Sequence, residues 1–526
     1  MNAPSTAPPN TLRSGLQRIE GVFDLAFGAR ANPLRQLGAL AFLLFWLVAA
    51  TGIYLYAAFD TSVSGAYASV DRISRNQWPL GAIAHSMHRY ASDAMLLVVL
   101  LHLAREWIAG HARGFRWFSW LSGVPLLWFL YASGIGGYWL VWDRLAQFSL
   151  NATAEWFDWL PMFGEPMVRN FIVSGSVTDR LFSLLIFLHI GIPLILLLGM
   201  WVHIQRISRP LTQPHARIAI GLPLALVALS LALPAAIQAP ADLSIVPSVL
   251  GLDWFYLAVF AALYASSAAT LWQVAGGATL LLALLPWLPP RPREPAAIVD
   301  LAHCNGCGRC FADCPYAAVT MRPRSDGRKL PGEAVVDPDL CAACGICAGA
   351  CPSSTPFRRA GKVLTGIDLP QQTMSAVRRE LSGAIAALRG RAKIVVIGCL
   401  NGADIRGRTG PDTAAIRLVC TAMLPPSFVD YTLRAGADGV LITGCRDGDC
   451  EYRLGNRWTE ERLLGSREPR LRAAVPQAMV HVCWAAPGDL AMLLSQIDRF
   501  RRAILSTPKS ARDGLGPPPS KEVQHE

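Results

Sequence analysis

Apolar and polar positions divide the chain into two unlike halves. Between residues 36 and 290 the apolar residues come in long blocks, at 37–59, 80–107, 117–139, 181–204 and 218–237. A helix needs about 20 apolar residues to cross the hydrocarbon of a bilayer, so each block predicts a membrane helix. Residues 254–288 are apolar for too long to be one simple span; two spans, or one span preceded by a short embedded helix, would accommodate them. Ahead of the first block, residues 12–30 space their apolar positions helically between Arg and Glu, the pattern of a helix lying in the interface. Beyond residue 290 the blocks shorten. KIVVIGCL from Lys393, GVLITGC from Gly439 and AMVHVC at 478–483 read as buried strands separated by helical stretches, one of them between Pro425 and Arg434. Short apolar runs alternating with helices predict a small parallel α/β domain.

Charge orients the membrane half. Basic residues follow the second span (Arg105, Arg113, Arg116), the fourth (Arg206, Arg209, Arg217) and the last (Arg291, Arg293). Positive charge accumulates on the cytoplasmic side. Placing all three clusters there requires six spans, with residues 254–270 half-embedded on the outer side and both termini cytoplasmic. The chain is expected in the bacterial inner (cytoplasmic) membrane, without a cleavable signal peptide, because the first 35 residues have no apolar h-region. Composition agrees: 52% of residues are hydrophobic and 16% charged, against about a quarter charged in ordinary soluble domains. Much of the basic excess behind the net charge of +11 lies next to apolar spans, so topology explains part of it, and no nucleic-acid partner is expected.

All thirteen cysteines lie at or after Cys304. Eight of them form two matching runs: Cys304, Cys307, Cys310, Cys314 before Pro315, and Cys341, Cys344, Cys347, Cys351 before Pro352. This C-x2-C-x2-C-x3-C-P spacing is that of bacterial ferredoxins with two four-iron clusters, in which the fourth cysteine of each run ligates the other cluster. One [4Fe-4S] cluster is therefore assigned Cys304, Cys307, Cys310 and Cys351, and the other Cys341, Cys344, Cys347 and Cys314. Zinc sites more often use two separated C-x2-C pairs. Thiolates in metal-ligand spacing belong in a reducing compartment.

The membrane half carries its own paired signal. His88 and His102 lie fourteen residues apart in the second span, and His189 and His203 fourteen apart in the fourth. Fourteen residues are close to four turns, so each pair shares a helix face about 21 Å apart along the axis. Ionisable residues inside spans are costly and functional, and two matched pairs predict two stacked bis-histidine sites. Gly38 and Gly52 in the first span and Gly123 and Gly137 in the third repeat the interval, as if each cleared room for a flat macrocycle.

These stretches resemble a known family. HRYASDAMLLVVLLHLAR (88–105) is similar to the second helix of cytochrome b from quinol-oxidising respiratory and photosynthetic complexes. LGALAFLLFWLVAATGIYLYAAFDTSVSGAYASV (37–70), WFSWLSGVPLLWFLYASGIGGYWLVWD (117–143) and TDRLFSLLIFLHIGIPLILLLGMWVH (178–203) are similar to its first, third and fourth helices. The resemblance implies an outer haem b between His88 and His189, an inner haem b between His102 and His203, and Arg89 and Arg105 as partners of the haem propionates. It also implies quinone chemistry. The family's Pro-Glu-Trp-Tyr segment corresponds here to Leu252-Asp253-Trp254-Phe255, and its Leu-Pro-Trp turn to Leu140-Val141-Trp142-Asp143. Trp142, Asp143, Asp253 and Trp254 are the quinone-site candidates, with Asp253 able to accept a proton. Both family prolines are missing, which argues against a bifurcating outer site.

RLVCTAMLPPSFVDYTLRAGADGVLITGCRDGDCEYRLGN (417–456) resembles the delta subunit of methyl-viologen-reducing hydrogenase. That likeness implies a [2Fe-2S] cluster on Cys399, Cys420, Cys445 and Cys450, with Cys483 as a substitute for Cys399, and docking on a flavoprotein or heterodisulfide-reductase-like subunit.

The expected fold is an α-helical membrane bundle of six spans, di-haem cytochrome b-like, joined to a two-[4Fe-4S] ferredoxin α+β module and a small α/β iron–sulfur domain. The boundaries are 1–35 for an N-terminal segment with an interfacial helix, 36–290 for the membrane domain, 291–360 for the ferredoxin, 361–391 for a basic connector, 392–503 for the α/β domain and 504–526 for a disordered tail. A Pro-rich linker at 286–296 joins the halves. The expected function is membrane electron transfer between a cytoplasmic flavin or iron–sulfur partner and quinone. A hydrogenase-linked subunit and a redox-sensing docking scaffold are the other two readings. No Gly-rich phosphate loop with its strand and helix is present, and the substrate-oxidising site is expected in another subunit.

Overall fold

A computed structural model describes residues 10–162, 172, 177–247, 249–288, 294–357 and 362–506. The expected linker is described only at its ends. Arg291, Arg293 and nearly all of the expected tail lie outside the described residues. The chain divides into two compact units, one of Met1–Gln205 with Pro210–Arg291, the other of Arg206–Arg209 with Pro292–Glu526.

The first unit is helical: α1 (Asn10–Phe27), α2 (Leu37–Ala58), α3 (Ala66–Asn76), α4 (Leu80–Ile108), α5 (Trp117–Val141), α6 (Arg144–Asp158), α7 (Asp179–Ile204), α8 (Ala216–Ala232), α9 (Ala258–Ala265) and α10 (Ala268–Leu284). Among the described residues, four segments are long and apolar enough to cross a membrane: Leu37–Ala58, Gly114–Val141, Asp179–Ile204 and Ala268–Trp287. α4 has the length, at 29 residues, but carries Arg89, Asp93, Arg105 and Glu106 among its apolar positions. α8 is apolar and shorter, at 17 residues. α2 packs on α4 and α5 on α7, around a core that includes Leu44, Ala91, Leu96, Tyr256 and Phe260. Exposed Trp46, Phe187, Leu194 and Trp201 cover the outside of the bundle, as a lipid-facing surface requires.

α1 does more than its sequence predicts. Glu20 is 1% exposed and accepts from Arg105 Nε of α4 at 2.9 Å. Arg35 lies 3.7 Å from the same carboxylate and 2.8 Å from Asp24. Buried ions need such partners, so α1 is fastened to the end of α4 instead of only lying in an interface.

In the second unit, the ferredoxin part consists of β1 (Ile298–Val299), α11 (Arg309–Ala312), β2 (Val319–Arg322), β3 (Glu333–Val336), α12 (Ile346–Ala350) and β4 (Ile367–Asp368). β2 pairs antiparallel with β3, and β1 with β4. The 322–338 stretch, polar in sequence, therefore contains a strand. α13 (Met374–Ala387) follows, capped by Thr373.

Beyond it, β5 (Ile394–Cys399), β6 (Thr413–Leu418), β7 (Gly439–Gly444) and β8 (Val480–Trp484) form one parallel sheet in the order β6-β5-β7-β8. β5 and β7 are buried along their whole length, which is why they read as unbroken apolar runs. β6, with Thr413 and Arg417, had no such signature. α14 (Pro426–Arg434), α15 (Gly455–Leu463) and α16 (Leu490–Ser506) complete the unit. Leu493, Ile497, Phe500 and Ile504 of α16 bury one helical stripe against the sheet; the helix runs three residues past the expected boundary at 503.

Candidate functional site

The helix pairing brings the four histidines together in twos. The rings of His88 on α4 and His189 on α7 lie 6.3 Å apart between centroids. Two imidazoles trans across one metal at about 2 Å have centroids about 6 Å apart, so the spacing fits a shared axial site. His203 stands within electrostatic reach of His102.

The glycines of α2 and α5 face these rings. A Cβ at Gly52 would lie 3.0 Å from His88 Cε1, one at Gly137 3.0 Å from His189 Cε1, one at Gly123 3.3 Å from His203 Cε1 and one at Gly38 3.7 Å from His102 Cε1.

Ring orientation is also set. His88 Nδ1 lies 3.0 Å from the Val48 carbonyl and His189 Nδ1 3.1 Å from that of Ser133. A carbonyl can only accept, so Nδ1 is the protonated nitrogen and Nε2 is left free to ligate. Ser122 Oγ donates to the Phe118 carbonyl at 2.7 Å, leaving its lone pair to accept from His203 Nδ1 at 3.0 Å. Thr51 stands beside His88 in the same manner. None of these orienting partners had a sequence signal, because each acts through the backbone or a hydroxyl of another helix.

The propionate candidates have protein partners. Arg105 is held by Glu20 and Glu106. Arg89 reaches Asp253 at 3.4 Å and lies over the Tyr138 ring. Of the quinone-site candidates, Trp142 is buried against Phe182 and lines an open cavity of about 510 Å³ with Val63, Arg144, Val177 and residues 239–243. Asp143 spends both oxygens on backbone, accepting from Ala146 N and Gln238 N, each at 2.9 Å. Asp253 accepts from Phe255 N and Tyr256 N besides Arg89, and Trp254 is exposed. Only Trp142 of the four lines that cavity. Asp93, buried on α4 between the two histidines, has Oδ1 without a hydrogen-bond partner.

In the second unit, Gly308 and Gly345, both at positive φ (+71° and +75°), turn the chain into α11 and α12 straight after Cys307 and Cys344. A cavity is lined by Cys314, Cys341, Cys344 and Cys347, the donor set that the crossed arrangement assigns to one cluster. Burial pushes the Cys310 thiol up to about 12, with Cys351, Cys307 and Cys304 adding to it; these are the other donor set. Burial likewise raises Cys314, Cys344 and Cys347. Thiols in such surroundings stay protonated until a cation draws the proton off. Arg324, unmarked in the sequence, donates to the carbonyls of Cys304 at 2.8 Å and Leu301 at 2.6 Å, fixing the first loop.

The last four cysteines converge. Cys399 Sγ ends β5 and lies 3.9 Å from Cys445 Sγ beyond β7; two thiolates on one tetrahedral metal at about 2.3 Å lie about 3.8 Å apart. Gly455 makes room for the other two, since a Cβ there would meet Cys420 Sγ at 2.5 Å and Cys450 Sγ at 3.1 Å. Cys483, on β8, turns instead to the Met492 sulfur at 3.7 Å. Among the described residues no group of three or more His, Cys, Asp or Glu donors is set to hold a single metal ion.

Three family models match the chain. Residues 23–210 match cytochrome b/b6/petB, residues 303–355 a 4Fe-4S dicluster domain, and residues 388–506 the delta subunit of methyl-viologen-reducing hydrogenase. Cytochrome b6 of Heliobacterium mobile is 29% identical over 209 residues, covering 37% of this chain and 98% of that protein. A solved structure of a hyperthermophilic respiratory Complex III aligns with a TM-score of 0.40 at 19% identity, over 52% of this chain and 80% of that one. The chain is a membrane electron-transfer protein that combines haem b with iron–sulfur chemistry. It carries a cytochrome b/b6 domain at its N-terminal end, followed by a 4Fe-4S dicluster domain and a hydrogenase-delta domain.

Proposed function

We propose that the chain is the membrane subunit of a quinone oxidoreductase, passing electrons between a cytoplasmic flavin or iron–sulfur partner and the quinone pool. The membrane domain, 36–290, crosses six times with 254–270 half-embedded on the outer side. His88 and His189 hold an outer haem b, and His102 and His203 an inner one. The ferredoxin, 291–360, holds one [4Fe-4S] cluster on Cys304, Cys307, Cys310 and Cys351 and another on Cys314, Cys341, Cys344 and Cys347. The α/β domain, 392–503, holds a [2Fe-2S] cluster on Cys399, Cys420, Cys445 and Cys450. These domains face the cytoplasm of a bacterial cell.

The observation that carries this reading is the opposition of His88 and His189 with Nδ1 of both engaged and a glycine facing each ring. It is the arrangement an axial pair needs. When bound, the haems and clusters supply one-electron steps at potentials set by ligand, burial and hydrogen bonding. The chain's own contributions are orientation of the imidazoles and burial of most of the thiols. Near the outer pair, the buried carboxyl groups of Asp253, paired with half-buried Arg89, and of Asp93 are the groups that would exchange protons with a quinone.

The test is anaerobic quinone reduction by the purified, chemically reduced protein. Stoichiometric oxidation of its haem by a short-chain quinone supports the reading; reduced protein inert to quinone leaves a sensing or docking role. Isolation of the native complex should yield a flavoprotein. The match to a hydrogenase delta subunit favours a second reading of the donor, in which recovery of a hydrogenase large subunit replaces the flavoprotein.

A further inference from the structure

The two cysteine runs repeat each other in sequence but not in surroundings. In the second run, Cys344 is buried in one apolar cluster with Ile346, Cys420, Ala422 and Trp458. Its counterpart in the first run, Cys307, is exposed. α12, which starts two residues after Cys344, packs on the 421–423 turn that follows Cys420. Gly349 permits this approach: a Cβ there would collide with the Ala422 carbonyl oxygen. At the matching position the first run has Ala312, beside an exposed Phe311. Gly345 is equally confined, with a Cβ 2.8 Å from Met423 Cγ, whereas a Cβ at its counterpart Gly308 would meet nothing within 4 Å. Arg462 locks the junction by donating to the same Ala422 carbonyl at 2.7 Å and to Asp313 at 2.5 Å.

We infer that the Cys399, Cys420, Cys445, Cys450 centre exchanges electrons directly with the Cys314, Cys341, Cys344, Cys347 centre, across the Cys344–Cys420 contact. Gly349 and the Arg462–Asp313 pair are the positioning residues that keep this contact closed. The Cys304, Cys307, Cys310, Cys351 centre is a further stop, reached only through the second run. In the step one electron leaves the reduced two-iron centre and reduces the adjacent oxidised four-iron centre; no bond breaks and no proton moves. The inference rests on the three-cluster reading above and adds to it the order of the centres.

The test is electron paramagnetic resonance on the full-length protein, purified and reduced anaerobically. A reduced two-iron centre next to a fast-relaxing four-iron centre saturates only at high microwave power. Cys344→Ala should lower its half-saturation power several-fold, and Cys307→Ala should leave it unchanged. Gly349→Ala keeps every thiol and should lower the half-saturation power with iron content intact. Equal effects of Cys344→Ala and Cys307→Ala, or Gly349→Ala with unaltered relaxation, would overturn the order while leaving the three clusters in place. Four-iron signals with no two-iron signal in the unsubstituted protein would overturn the order together with the reading of the third centre.

Discussion

Arg462, in the last turn of α15, donates at 2.5 Å to Asp313, the residue before Cys314, and both side chains are almost completely buried. The pair ties the ferredoxin to the hydrogenase-delta domain across 149 positions of sequence. Arg467 adds a second contact to Asp313 at 2.6 Å. Removing one partner of a buried pair leaves an uncompensated charge and costs about 3–5 kcal/mol. Asp313→Ala should therefore lower the unfolding free energy, read in urea from loss of iron–sulfur absorbance, by that order. The double variant Asp313→Leu with Arg462→Met should recover part of the loss. A double variant as unstable as the single one would show that the ions, not their mutual compensation, hold the junction.

Each histidine pair should govern one haem. His88→Ala is expected to remove about half of the haem and to leave a spectrum from the His102 and His203 site. Gly52→Leu should reproduce that loss without replacing a ligand, because even its Cβ would stand 3.0 Å from the His88 ring. Full haem occupancy in Gly52→Leu would contradict the role given to that glycine.

The spacing of the eight ferredoxin cysteines and of the four histidines is local and so stands out in sequence: runs of eleven residues, or a fourteen-residue interval of about four turns on one helix face. The contacts that orient them do not. Val48 and Ser133 act through their carbonyls, and Arg324 through a loop twenty residues from the Cys304 carbonyl it holds. Glu20 and Arg105 are 85 positions apart, and sequence shows each only as a surface-like charge. β6 escaped notice because its Thr413 and Arg417 break the apolar run that marked its neighbours.

Cys399 and Cys483 could not be told apart in sequence, since both end apolar strands. Geometry separates them: Cys399 lies 3.9 Å from Cys445, and Cys483 faces Met492. Cys399→Ser should alter or abolish the two-iron signal, reducing non-haem iron from about ten toward about eight per chain. Cys483→Ser should leave iron and signal unchanged. The opposite pattern would move the ligand set.

Asp368 supplies a pH dependence. Burial raises its carboxyl to about 6, against the opposing effect of hydrogen bonds from Met374 N and Leu369 N. The folded form thus holds a proton that the unfolded chain releases at an ordinary aspartate value, near 3.9. This site therefore adds stability as pH falls through about 6, with the gain complete below the unfolded value. The denaturation midpoint of the iron–sulfur unit should rise between pH 7 and pH 5 more in the native sequence than in Asp368→Asn. Identical pH profiles in the two proteins would sink the assignment.

The most direct measurement follows a single oxidation. Fully reduced protein is mixed anaerobically with a short-chain quinone, and haem and iron–sulfur absorbance are recorded together in stopped flow. If electrons cross from the thiol centres to quinone through the haems, haem oxidation precedes iron–sulfur oxidation. In His102→Ala the iron–sulfur phase should then slow at least tenfold, a barrier higher by about 1.4 kcal/mol. Iron–sulfur centres reoxidised by quinone at an unchanged rate in His102→Ala would contradict it.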